Sequence, residues 1–155
     1  VRQLLDVAAP AMLIGQAIGR IGCFLNGDTV GGPTAGGWGV AYWHPDALVP
    51  RSLAGIPTHP YPLYEIIWDL AMLGLVMALP GTLRQPGTRF LIAAIGYAIG
   101  RFVLSFSRME PIVLWGLQEA QVIALVTGLT AVVILFLRSR RSKAFSSVQT
   151  HGSIT

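Results

Sequence analysis

Four runs of apolar residues dominate the chain, and each is long enough to cross a bilayer. Val7 to Leu25 is broken only by Gln16 and Arg20, and Leu63 to Leu79 by Tyr64 and the acidic pair Glu65 and Asp69. Phe90 to Phe106 carries Arg101 among a few small polar residues, and Ile112 to Leu137 holds Gln118, Glu119 and Gln121 in its first third. A spanning helix needs roughly 20 residues, with about 17–25 typical. Backbone groups in lipid must be hydrogen-bonded internally, which makes helices the expected form. The expected fold is therefore all-α: a polytopic transmembrane helical bundle with spans near 7–25, 63–79, 90–106 and 112–137. Charge agrees, because only 12% of the residues are charged, against about 25% in an ordinary soluble domain. That is too few to coat a surface facing water.

The spans belong to one transmembrane domain, 1–143, followed by a Ser/Thr-rich tail, 144–155, expected to be disordered and cytoplasmic. Residues 26–62 form a loop rich in Gly and Pro, which break helices and mark turns. Within it, Trp38 to Tyr42 reads as a short strand or an interfacial segment. Residues 79–87 form a tight loop between the second and third spans. The first residue is Val, and no charged segment precedes a short apolar run, so no signal peptide is read and further residues are expected upstream. The single cysteine, Cys23, cannot form an internal disulfide and reads as a small packing residue.

Four spans alternate sides, so Arg2, the loop with Arg84 and Arg89, and the cluster Arg138, Arg140, Arg141 and Lys143 share one side. Those seven of the eleven Lys and Arg residues mark the cytoplasmic face. The C-terminus is then cytoplasmic, and the Gly/Pro-rich loop is periplasmic or extracellular. With this orientation Arg20, Glu65, Asp69, Arg101, Arg108, Gln118, Glu119 and Gln121 gather at one depth, in the outer leaflet. The Lys and Arg residues segregate by membrane side and form no single basic face, so nucleic acid is not an expected partner.

A charged residue in a span costs about 2.5–3.5 kcal/mol on insertion scales and usually faces a protein interior or a wet cavity. Gln16 and Arg20 share a helix face, as do Glu65 and Asp69, and Tyr97, Arg101 and Arg108. Arginines converging at headgroup depth can clamp a phosphate, because guanidinium binds it bidentately. A plainer reading stands beside this one. Arg108 can snorkel to the interface, Arg20 and Arg101 can pair with Glu65, Asp69 or Glu119, and the carboxylates can serve only as counter-ions. Trp38, Trp43, Trp68 and Trp115 fit an aromatic belt. His44 and His59 lie in the loop with no second ligand at metal spacing, so no metal and no cofactor is expected.

Three segments go beyond these physical readings. Asp6-Val7-Ala8-Ala9-Pro10, then Gly19-Arg20-Ile21-Gly22-Cys23-Phe24-Leu25-Asn26-Gly27-Asp28, with Gly31, Pro33 and Thr34 following, resembles the signature of the prolipoprotein diacylglyceryl transferase family, which reads Gly-Arg-x-Gly-Asn-Phe-x-Asn-Gly-Glu. Pro57-Thr58-His59-Pro60-Tyr61-Pro62-Leu63-Tyr64-Glu65 resembles the family's Pro-x-His-Pro-x-x-Leu-Tyr-Glu. Gly100-Arg101-Phe102-Val103, with Arg108 after it, is similar to its Arg-Phe-x-x-Glu-x-x-Arg, and Gly116 to Gln121 resembles the start of its last helix. The matches run in family order from residue 6 to residue 121.

The resemblance implies an enzyme of the bacterial plasma (inner) membrane that takes phosphatidylglycerol from the outer leaflet. Its diacylglyceryl group passes to the lipobox cysteine of a preprolipoprotein, giving a thioether. On this reading Arg20 binds the phosphate and Arg101 stabilises charge on it as it departs. Asn26 and Asp28, with Gly31, shape the headgroup pocket, and His59, Tyr64, Glu65 and Arg108 position substrate. The nucleophile is the substrate's own thiolate. This sequence departs from the family pattern at Cys23, where the family has Asn, and at Asp28 and Ser105, where it has Glu. Ser105 would thereby deprive Arg101 of a partner. An upstream His-Gly-Gly segment of the family is not in this sequence, so an N-terminally truncated chain is expected. The alternative is a non-catalytic or divergent membrane protein that binds anionic lipid headgroups.

Overall fold

The computed structural model describes residues 1–80, 86–108 and 112–151, with side chains described as far as Arg140. Arg84 therefore lies outside the described residues, and Arg141 and Lys143 are described as backbone alone. Four helices carry the chain: α1 (Arg2–Asn26), α2 (Tyr61–Ala78), α3 (Thr88–Leu104) and α4 (Glu119–His151). Each contains a stretch long and apolar enough to cross a membrane, over Arg2–Asn26, Tyr61–Ala78, Thr88–Ser107 and Glu119–Arg140. The fold is a helical bundle whose β structure, among the described residues, is one two-stranded hairpin and two isolated bridges.

Each helix end is set by local chemistry. At the last turn of α1 the open carbonyls find partners outside the helix, as buried helix ends require. The Asp28 amide donates to the Cys23 carbonyl at 2.9 Å, and the Leu48 amide to the Asn26 carbonyl at 2.9 Å. The Tyr42 hydroxyl donates to the Phe24 carbonyl at 2.6 Å, and burial pushes that phenol's pKa up. Pro62 sits in the first turn of α2, where its missing N–H costs nothing. The start of α3 is capped from another helix. Asp6 of α1 accepts from the Gly87 amide at 2.5 Å and from the Phe90 amide at 3.0 Å, and Arg138 of α4 donates to the Pro86 carbonyl. Three helices are thus tied together at the end remote from the Gly/Pro-rich loop.

Helix α3 is the hub, packing against α1, α2 and α4, while α1 packs on α2. The core is built from small and medium residues: Ala9, Leu13, Val76 and Ala93, flanked by Met72, Leu73, Phe90 and Ile92. Gly96 and Gly100 let α2 come close, since a Cβ on either would overlap Met72 or the Trp68 indole. Small residues four apart serve this purpose wherever helices pack in lipid. The half-buried Trp68 indole donates to the Gly96 carbonyl at 2.9 Å, which satisfies its polar N–H.

The fourth span begins later than its hydropathy suggests. Residues expected as its first turns form a hairpin, β1 (Ile112–Leu114) paired antiparallel with β2 (Leu117–Gln118). Trp115 and Gly116, both at positive φ, make the two-residue turn, the geometry that matches strand twist in tight hairpins. Helix α4 opens only at Glu119, an acidic residue placed against the helix N-terminus. It then continues to His151, into the segment expected as a disordered tail, and residues 152–155 lie outside the described residues. In the loop, Val40 and Thr58 exchange two backbone hydrogen bonds of 3.0 Å, so Trp38 to Tyr42 contributes a single bridge and no full strand.

Candidate functional site

Tyr61, Glu65 and Asp69 follow one another at four-residue steps and so line one face of α2. All three are buried, at 0%, 5% and 2% exposure. A carboxylate this deep must be paired, and Glu65 is paired twice. Arg20, six residues from the end of α1, brings Nε to 2.6 Å from Oε2 and donates from Nη2 to Oε1 at 3.2 Å. Arg101, in the last turn of α3, donates from Nη1 to Oε1 at 2.8 Å. The same Nη1 lies 3.0 Å from the Tyr61 hydroxyl, which itself donates to Glu65 Oε1 at 3.1 Å. Arg108, just past α3, lies over the Tyr61 ring at 5.0 Å, a cation–π distance. Three helices therefore meet through one carboxylate.

The formal charge of this cluster is positive, with Arg20, Arg101 and Arg108 against Glu65 and Asp69. Arg101 also lines a cavity of about 460 Å³ between α3 and α4. Tyr97, Glu119, Val113 of the hairpin and Thr127 line it too. Arg101 is thus held by Glu65 and Tyr61 on one side and open to a cavity on the other. A fixed cation in a confined space is suited to receive an anion or to stabilise one as it forms.

The other expected site residues fall into four groups. His59 and Tyr64 contact each other, Nδ1 to hydroxyl at 3.1 Å, beside the main cluster. Asp28 sits next to the Cys23 thiol, with Sγ 3.9 Å from Oδ2, and Arg20 Nη1 is 3.9 Å from the same sulfur. Cys23 therefore links Arg20 to Asp28 through two long thiol contacts. Asn26 has an exposed side chain and enters the fold through its backbone carbonyl. Gly31 is placed by packing. Its amide donates to the His59 carbonyl at 3.0 Å, the next amide donates to Ser107 at 2.9 Å, and a Cβ would lie 2.7 Å from His59 Cβ and 2.8 Å from the Ser107 carbonyl oxygen. This strap joins the loop to the ends of α2 and α3, next to Arg108. Gly31→Ala is expected to cost about 1–3 kcal/mol, as overpacking does, and to open the loop to protease. Limited proteolysis in detergent with wild-type resistance would refute the close packing.

Two expectations change. Ser105 does not leave Arg101 without a partner, because Glu65 and Tyr61 take that place. The Ser105 hydroxyl, fully buried, donates instead to the Arg101 carbonyl at 2.5 Å. Gln118 and Gln121, expected among the polar cluster, bond mainly to backbone. Gln118 Nε2 donates to the Arg108 carbonyl at 3.0 Å, and Gln121 Oε1 accepts the Gln118 amide at 3.0 Å. Together they fasten the hairpin to α3. Tyr61 is the residue that the sequence reading did not single out, although its four-residue spacing from Glu65 was there to be read.

The model of the prolipoprotein diacylglyceryl transferase family matches residues 1–137. A phosphatidylglycerol–prolipoprotein diacylglyceryl transferase of Dehalococcoides mccartyi is 37% identical over 140 residues, covering 90% of this chain and 53% of the relative. Relatives of the same name from Gloeobacter violaceus and Bacillus cytotoxicus are 33% and 36% identical, again over 90% of this chain and 52% and 51% of their own lengths. The chain thus spans about half the length of the curated relatives it matches. No solved structure matches it. A chain matched over all four helices, with its arginines gathered on one buried glutamate, belongs to the prolipoprotein diacylglyceryl transferase family.

Proposed function

We propose that the protein takes part in transferring the diacylglyceryl group of phosphatidylglycerol to the cysteine thiol of a prolipoprotein lipobox. The observation that carries this reading is the convergence of Arg20 and Arg101 on Glu65, with a cavity on the free side of Arg101. In this reaction the thiolate sulfur attacks the glyceryl carbon bearing the phosphate. A C–S bond forms, the C–O bond breaks, and glycerol phosphate leaves with the bonding electron pair, the thiol proton having passed to a base. Negative charge grows on the departing phosphate, where a preorganised guanidinium contributes most. Arg101 is the residue placed for that work, and Arg20 holds the headgroup. His59, Tyr64, Arg108 and the Asn26–Gly31 segment position the substrates around them. The Lys and Arg distribution favours a cytoplasmic C-terminus and a site in the outer leaflet of the bacterial plasma membrane.

A second reading, headgroup binding without turnover, draws on the departures at Cys23 and Ser105 and on the two arginines being already paired with Glu65. One experiment separates the two. The protein as its gene encodes it is expressed in a bacterium depleted of its own transferase, and a lipobox reporter is followed by mass spectrometry. A diacylglyceryl mass gain, lost in Arg20→Ala and Arg101→Ala, supports transfer. An unmodified reporter, with the protein present in the membrane, leaves headgroup binding as the function.

A further inference from the structure

The cavity beside Arg101 does not end at its polar rim. A second cavity, of about 240 Å³, lies deeper along α3 and is lined by Ala9, Met12, Leu13 and Gln16 of α1 and by Phe90, Ala93 and Ala94 of α3. Tyr97 and Thr127 line both spaces, so the two adjoin at that level. Along α3 the order is Arg101, Tyr97, then Ala93 and Ala94. At 1.5 Å per residue, Ala94 lies about 10 Å below Arg101 along the helix axis. Its walls are α1 on one side and α4 on the other, with α3 as floor. Polarity falls along this line, from a guanidinium through the Tyr97 phenol and the Gln16 amide to alanines and Phe90. The small side chains at 93 and 94 are what keep the floor low, and Met12, more than half exposed, forms an adjustable edge.

We propose that this cleft seats an acyl chain of the anionic lipid whose phosphate lies at Arg101, and that Ala94 and Met12 set which chain lengths it accepts. The inference rests on the lipid reading given under Proposed function, and the charge gradient is its main argument. A glycerophospholipid presents an anion and an apolar chain at a fixed separation, and the two adjoining spaces present a cation and an apolar slot in the same order. A further helix packed into the cleft would cover the apolar part but would have no reason to meet a cation at one end.

The test is a competition for binding, so that it does not depend on turnover. Purified protein, as encoded by its gene, is equilibrated with mixed vesicles of dilauroyl and dioleoyl phosphatidylglycerol, and the retained lipid is quantified by mass spectrometry. Ala94→Phe raises the floor and is expected to shift the retained ratio toward the shorter lipid by at least about tenfold, the scale on which apolar pockets discriminate size. Met12→Ala widens the slot and is expected to shift it the other way. Arg101→Ala is expected to lower retention of both lipids without altering their ratio. An unchanged ratio in Ala94→Phe, or equal loss of both lipids, overturns the proposal, the second result meaning that protein fills the cleft. Should Ala94→Phe fail to accumulate, Met12→Ala decides alone: a shift toward dioleoyl supports the proposal and an unchanged ratio overturns it. A shifted ratio in a protein that forms no thioether would sink the transferase reading and leave the acyl seat intact.

Discussion

Glu65→Gln is expected to abolish transfer and to destabilise the protein by about 3–5 kcal/mol, the usual cost of breaking a buried ion pair from one side. The substitution keeps the shape and removes the charge. Glu65 is 5% exposed and compensates Arg20 and Arg101 at once, at 2.6 and 2.8 Å. With glutamine in its place two guanidiniums face each other without a compensating charge, and one amide NH2 points at a cation that needs an acceptor. Three helices lose their shared anchor. The loss of transfer is read with the lipobox reporter, and the loss of stability as an earlier thermal transition in detergent. Normal transfer and an unshifted transition in Glu65→Gln would show that the arginines are held by something other than this carboxylate.

Arg101 gives the second large effect, and here the conservative change is as informative as the severe one. Arg101→Ala is expected to lower the transfer rate about 10²–10³-fold, the scale for removing one fixed donor at a developing anion. Arg101→Lys is expected to recover little. One Nη1 reaches both the Tyr61 hydroxyl and Glu65, and the same residue lines the cavity. An ammonium is a point charge and cannot span these partners together. If Arg101 acts on departing charge, the defect lies in kcat, with KM for phosphatidylglycerol changed less. A defect confined to KM would make Arg101 a binding residue only. Full activity in Arg101→Lys would mean that charge alone suffices.

The four helices were legible because hydropathy over some twenty residues is a strong signal for crossing a bilayer. Their ends were less so. Ile112 to Trp115 is as apolar as the helix that follows, so hydropathy ran the two together, and only Gly116 hinted at the turn. The gathering of Arg20, Glu65 and Arg101 could be anticipated from topology, since alternating spans put them at one end. Which carboxylate would take the arginines could not. Glu65 and Asp69 lie one turn apart on the same face, and the choice depends on how α1 and α3 sit against α2. The capping of α3 by Asp6 is a contact across more than eighty residues and leaves no local trace. Gln118 and Gln121 misled for a related reason: a polar side chain near a helix start can serve the backbone as readily as a ligand.

The position of Glu65 also bears on how such a site empties. An anion held by two arginines alone, in a space shielded from water, would leave slowly. Here a carboxylate of the protein is tethered among the same donors, as a rival of fixed and high local concentration. On the proposed reading, Glu65 would reclaim the guanidiniums each time a phosphate departed, and the resting state would reform without a counter-ion from solution. Turnover and affinity would then be set against each other in one residue: the group that steadies the cations between cycles would also limit how long a product could stay.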